Sequence, residues 1–130
     1  MSIKHNNMTV DTIPGKRIVK SSCVGKASVD DIKWLTSQLV TMGRQFGASG
    51  WVYIADISRM DPVAPDVSTE LVTMTREIIK GGCKGIGFVS GTSFMLDAQA
   101  QAHQKQSNSS VPEGHFKTES EAIAWANGIL

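Results

Sequence analysis

Apolar and polar positions along the chain follow two periods, and the longest apolar run lies near the middle. Residues 50–57 read Gly-Trp-Val-Tyr-Ile-Ala-Asp-Ile, the pattern of a strand covered on both faces. Asp56 is expected to close that strand, residues 60–65 to form a loop, and Asp66 to open a helix. In that helix Val67, Leu71, Met74 and Ile78 recur on one face, Val72 and Ile79 widen it, and Gly81-Gly82 ends it. Upstream, residues 8–13 alternate apolar and polar, Pro14-Gly15 supplies a type II turn, and residues 17–24 return as a second strand. The short connection makes the pair an antiparallel hairpin. Ser28 caps a first helix, with Asp30 and Asp31 at the positive end of its dipole. Its stripe is Val29, Ile32, Leu35, Leu39, Met42 and Phe46; Trp34 and Val40 flank it as packing residues, and Gly47 stops it.

Residues 83–90 form the next strand, whose Gly85 and Gly87 imply close approach by a neighbour. Gly91-Thr92-Ser93 leads into a third helix carrying Phe94, Met95 and Leu96, and residues 107–114 make a polar loop. Residues 115–117 fit a short edge strand, and Thr118 with Glu121 forms a capping box for a terminal helix. Residues 1–7 are expected to fray. The order β-β-α-β-α-β-α-(β)-α describes one α/β domain over residues 8–130. It has a mostly parallel central sheet of about four or five strands, an N-terminal antiparallel hairpin and four helices.

Composition narrows the function classes. A net charge of +1 over 130 residues makes no electrostatic case for nucleic acid or an anionic membrane. No apolar run approaches the roughly 18 residues of a membrane span, and the polar start lacks a signal-peptide core. Cytoplasm is the expected compartment. Cys23 and Cys83 sit in apolar strands outside any C-x-x-C spacing, which fits buried thiols in a reducing environment.

Candidate chemistry is sparse. His5, His103 and His115 have no ligand partner three or four residues on, so no metal or cofactor is expected. Gly85-Ile86-Gly87 is not a dinucleotide fingerprint, because Ser90 replaces the third glycine and the glycines lie within a strand. Asp56 and Asp61 are the best pair for acid–base work, yet holding loop amides and opening an Asp-Pro turn explain them as well. Asp66 and Glu70 occupy the start of the second helix and repel an anion there. Gly91, Thr92 and Ser93 at the third helix make the better anion site, with simple capping as the plainer alternative.

The element order, the strand ending Ile54-Ala55-Asp56-Ile57-Ser58, the helix start after it and the closing Phe116, Glu121, Ala122 and Trp125 together resemble the STAS superfamily, in particular its SpoIIAA-like, anti-sigma factor antagonist-like branch. The resemblance spans roughly residues 8–130. It implies a bacterial regulatory module that binds a protein partner at the edge holding the second helix start, where a serine is phosphorylated to break the complex. This chain departs there: Ala64-Pro65-Asp66-Val67 stands where the family has Asp-Ser-Ser/Thr-Gly.

The resulting expectation is a non-enzymatic module contacting a partner through Arg59, Met60, Asp61, Val63, Asp66, Ser68, Thr69 and Glu70, with residues 91–94 beside them. An alternative, drawn from likeness to the SEC14-type fold, is a carrier of a small apolar ligand or lipid in a pocket of Met60, Val63, Met74, Phe94 and Met95. An enzyme using Asp56 and Asp61 ranks third, and a homodimer is left open.

Overall fold

Pro14 and Gly15 place the first turn of the sheet. The computed structural model describes residues 2–91 and 110–130. In it Gly15 has φ +75°, and Lys16 N–H donates to the Ile13 carbonyl at 3.1 Å, as a type II turn requires. The turn joins β2 (Met8–Thr12) to β3 (Ile18–Gly25) in antiparallel register. The N-terminal segment expected to fray instead supplies β1 (Ile3–His5), antiparallel to β2 across Asn6 and Asn7. Asn6 takes φ +53°, a left-handed conformation that asparagine tolerates and that two-residue hairpin loops need.

Three further strands add in parallel: β4 (Trp51–Met60), β5 (Cys83–Val89) and β6 (Glu113–Phe116). The sheet has six strands in the order β1-β2-β3-β4-β5-β6, so each new strand lies beside the previous one. The count exceeds the expected one because β1 was not foreseen. α1 (Val29–Gly43) runs into a 3-10 segment (Arg44–Ser49), and α2 (Pro65–Lys80) and α3 (Glu119–Ile129) complete the described helices. The helix expected to follow Gly91 lies outside the described residues.

β4 is the interior ribbon, between β3 and β5. Alternate residues feed two cores. Trp51, Tyr53 and Ala55 join Ile32, Leu39 and Ile78 of α1 and α2 on one face, while Val52 and Ile54 meet Ala122 and Ala126 of α3 on the other. Trp51 locks the first core: fully buried, it donates its indole N–H to the Gly81 carbonyl at 3.1 Å. That bond takes up one of the carbonyls that the end of α2 leaves without a helical partner. The glycines within β5 serve as expected. A Cβ on Gly87 would stand 3.2 Å from Trp125, and one on Gly85 would stand 2.9 Å from Ile129. Bare backbone at those positions lets α3 lie flat on the sheet.

Both capping predictions hold in their main part. Ser28 Oγ accepts from Asp31 N–H at 3.1 Å and Asp31 Oδ2 accepts from Ser28 N–H at 2.9 Å, so Asp31 completes a reciprocal box and does more than favour the dipole. At α3, Thr118 Oγ1 accepts from Glu121 N–H at 3.3 Å, but the Glu121 carboxylate takes the Thr118 hydroxyl at 3.2 Å rather than its backbone N–H.

Candidate functional site

The carboxyl ends of β3 and β4 carry a local irregularity that shapes everything after it. Ser22 pairs with Asp56 and Val24 with Arg59, so β4 has one residue more than β3 over this interval. That is a β-bulge, and it reverses which side chains face the core. Asp56 does not close the strand as expected. Its Oδ1 accepts from Ser58 N–H at 3.0 Å and from the Ser58 hydroxyl at 2.6 Å, which braces the bulge. The strand then continues to Met60, whose side chain turns inward and is only 9% exposed. Met60 therefore belongs to the strand and the core, and not to the exposed loop at residues 60–65 where it was expected to meet a partner.

Past Met60 the chain turns outward. Asp61 N–H donates to the Gly25 carbonyl at 2.9 Å, fastening the loop to the end of β3. Asp61, Pro62, Ala64, Pro65 and Asp66 are exposed, while Val63 is half-buried against the α1/α2 core. Helix α2 starts one residue before Asp66, with Pro65 in its first turn, where its missing N–H costs nothing. Ala64 at the cap position offers no side-chain acceptor. Asp66 Oδ1 accepts from its neighbour Val67 N–H at 2.9 Å. The Thr69 hydroxyl donates back to the Pro65 carbonyl at 3.1 Å. Glu70 falls in the second turn rather than the first, and it and Ser68 are half-buried.

The end of β4, the loop and the first two turns of α2 thus carry Arg59, Asp61, Val63, Asp66, Ser68, Thr69 and Glu70 in succession, while Met60 turns into the core. Of the anion candidates, Gly91 follows β5 with φ +62°, and Thr92 and Ser93 lie outside the described residues. Among the described residues no cluster of three or more His, Cys, Asp or Glu is placed to hold a metal ion. Of the acid pair, the Asp56 carboxylate is engaged by its own bulge, and Asp61 stands exposed beyond the strand end.

Under this edge, between the sheet and helices α1 and α2, lies a cavity of about 60 Å³. Met60, Val63 and Met74, three of the residues assigned to an apolar pocket, line it together. Phe94 and Met95 lie outside the described residues. Ser21, Tyr53 and Thr75 also line it and were not foreseen. Tyr53 was the available signal: a tyrosine in a run otherwise apolar on both faces brings a hydroxyl that needs a partner. Its phenol is pushed above its ordinary pKa by burial, against the opposing hydrogen bond from Ser21. Burial likewise raises both thiols to about 11, helped at Cys23 by the negative charges of Asp31 and Asp61. Both cysteines are free.

The sequence matches no protein-family profile and no curated protein. Its backbone matches solved structures. A DUF3478-family protein with a SpoIIAA-like fold from Shewanella loihica PV-4 aligns with a TM-score of 0.67 at 15% identity, covering 97% of this chain and 98% of that one. This is a SpoIIAA-like fold. The anti-sigma factor antagonist SpoIIAA in its unphosphorylated form aligns with a TM-score of 0.64 at 14% identity, over 94% of this chain and 99% of its own. A third, described as a putative anti-sigma factor antagonist from Thermotoga maritima, gives 0.61 at 11% identity over 91% and 92% of the two chains. In each case the likeness spans the whole SpoIIAA-like unit. No described helix is long and apolar enough to cross a membrane.

Proposed function

We propose that the chain is a non-enzymatic, regulatory protein-interaction module that grips one protein partner by the edge running from Arg59 to Glu70. The observation that carries this reading is the loop at residues 61–66. It is tied down at one end by Asp61 to Gly25 and at the other by the α2 start, yet nearly all of it is exposed. A half-buried valine set among Arg59, Asp61 and Asp66 has the make-up of a small contact surface, apolar at its centre and polar at its rim. Two of the SpoIIAA-like neighbours are described as anti-sigma factor antagonists. We carry over to this chain a partner of the class that such proteins oppose.

Control by phosphorylation at that edge is not part of the proposal. Pro65 and Asp66 stand where the resemblance expects hydroxyl side chains, and the Thr69 hydroxyl is spent on the Pro65 carbonyl. The fixed Asp66 carboxylate keeps one negative charge where phosphate would add nearly two.

The test is photo-crosslinking from position 63 in native lysate to identify the partner, followed by titration with that partner purified. Val63→Arg and Asp66→Arg are expected to weaken binding about tenfold or more, the loss of one central contact. Lys33→Glu, on exposed α1, is expected to leave it unchanged. Equal affinity for all three variants and the parent contradicts the edge.

A further inference from the structure

Two hydroxyls are buried together in an otherwise apolar core. Ser21 Oγ and Tyr53 Oη lie 2.5 Å apart, with their residues only 5% and 2% exposed. Each brings one O–H proton, and a single hydrogen bond between them uses only one. Neither hydroxyl has another hydrogen-bond partner among the described residues. The second proton therefore has no acceptor in the described protein, a cost that buried polar groups normally avoid. Both residues line the 60 Å³ cavity. Thr75 beside them already donates its proton to the Leu71 carbonyl at 3.0 Å.

We propose that this cavity is a binding site for the tip of a small neutral molecule that accepts a hydrogen bond, such as a ketone, aldehyde, ester or amide, with the Ser21–Tyr53 pair as donor. Size sets the first limit. A buried water needs on the order of 10–15 Å³ of such space, so the cavity takes about four to six heavy atoms. Charge sets the second. The described lining holds no lysine or arginine, and its one charged residue is Asp56, so a carboxylate or phosphate entering would lose its hydration with no cation to replace it. An ammonium has no lone pair for the hydroxyl proton. Access lies on the side of Ile57, Val63, Leu71 and Phe88, which are half-buried, whereas Ile32, Tyr53, Ile78 and Ile86 enclose the inner end. The site does not depend on the partner edge, and either can fail alone.

The experiment uses the full chain with labelled methionine methyls, so that Met60 and Met74 report on the cavity. The probes are butanone, pentane and butyrate, alike in size and different in chemistry. Butanone is expected to give saturable shifts at both methyls, butyrate none. The double variant Ser21→Ala/Tyr53→Phe removes both hydroxyls at once, a change that leaves no orphan partner. It is expected to weaken butanone about fivefold, the worth of one neutral hydrogen bond, and to leave pentane unweakened. Should that variant not fold, the carbonyl stretch of butanone bound to the parent protein decides: a shift below its value in hydrocarbon supports the donor role. Absence of saturable shifts, meaning ordered water only, overturns the proposal. So does equal weakening of butanone and pentane, tighter binding of butyrate, or an unshifted carbonyl stretch.

Discussion

At the scale of single residues, Gly43 and the two thiols give the sharpest expectations. A Cβ on Gly43 would fall 2.3 Å from the Trp51 ring, and Trp51 is fully buried and hydrogen-bonded to Gly81, so it has nowhere to retreat. Gly43→Ala is expected to destabilise by about 1–3 kcal/mol, the usual cost of overpacking, as read from urea unfolding. The thiols predict the opposite of a redox site. With both pushed up to about 11 by burial, they stay protonated at pH 8 and should react with a disulfide reagent only as fast as the protein opens. Rapid labelling of the native chain would contradict their placement. Gly43 was not legible in the sequence. It lies inside the stripe expected to run on to Phe46, and the demand for bare backbone comes from a tryptophan on another element.

At the scale of elements, the start of α1 is the point where the N-terminal hairpin docks. Asn6 Nδ2 donates to Asp31 Oδ1 at 2.8 Å, His5 Nε2 lies 3.3 Å from the same oxygen, and the His5 ring stacks on Trp34 at 4.8 Å. The Asp31 carboxyl is held below the ordinary range chiefly by the Ser28 backbone N–H, with further help from Asn6, the Ser28 hydroxyl and His5, while burial pushes the other way. A folded pKa below the unfolded one means stability present above about pH 4 and lost as pH falls through the folded value. The parent chain should therefore lose more stability between about pH 5 and 3 than Asp31→Asn does. Equal acid sensitivity would remove Asp31 from this role. Ser28→Ala is expected to cost about 1 kcal/mol. The periodic stretches and their caps were legible because they depend on near neighbours: the Pro14-Gly15 turn, the stripe of α1, and the start of α2 to within one residue. β1 and the bulge were not. Ile3–His5 has the alternation of a strand and Asn6-Asn7 the character of a tight turn, but so short a strand forms only because β2 is there to receive it. The bulge at Asp56 leaves no mark in a pattern of period two until register with β3 is known.

At the scale of the whole molecule, each strand lies beside the one before it in the sequence, the usual arrangement of consecutive elements. The architecture could accordingly be read from the alternation of strand and helix patterns. The candidate edge was legible in position, because parallel strands deliver their following loops to one side. It was misjudged in detail at Met60, which the bulge turns inward. The cavity shows the same dependence. Met60, Val63 and Met74 come from β4, the loop and α2, and only the assembled layers bring them against Ser21 and Tyr53. The edge itself is the central claim. Its most direct test is the affinity of Val63→Arg for the partner crosslinked from that position, beside Lys33→Glu as the control. Binding weakened about tenfold by the first alone is the predicted result; an unaltered Kd would show that the 61–66 loop does not meet the partner.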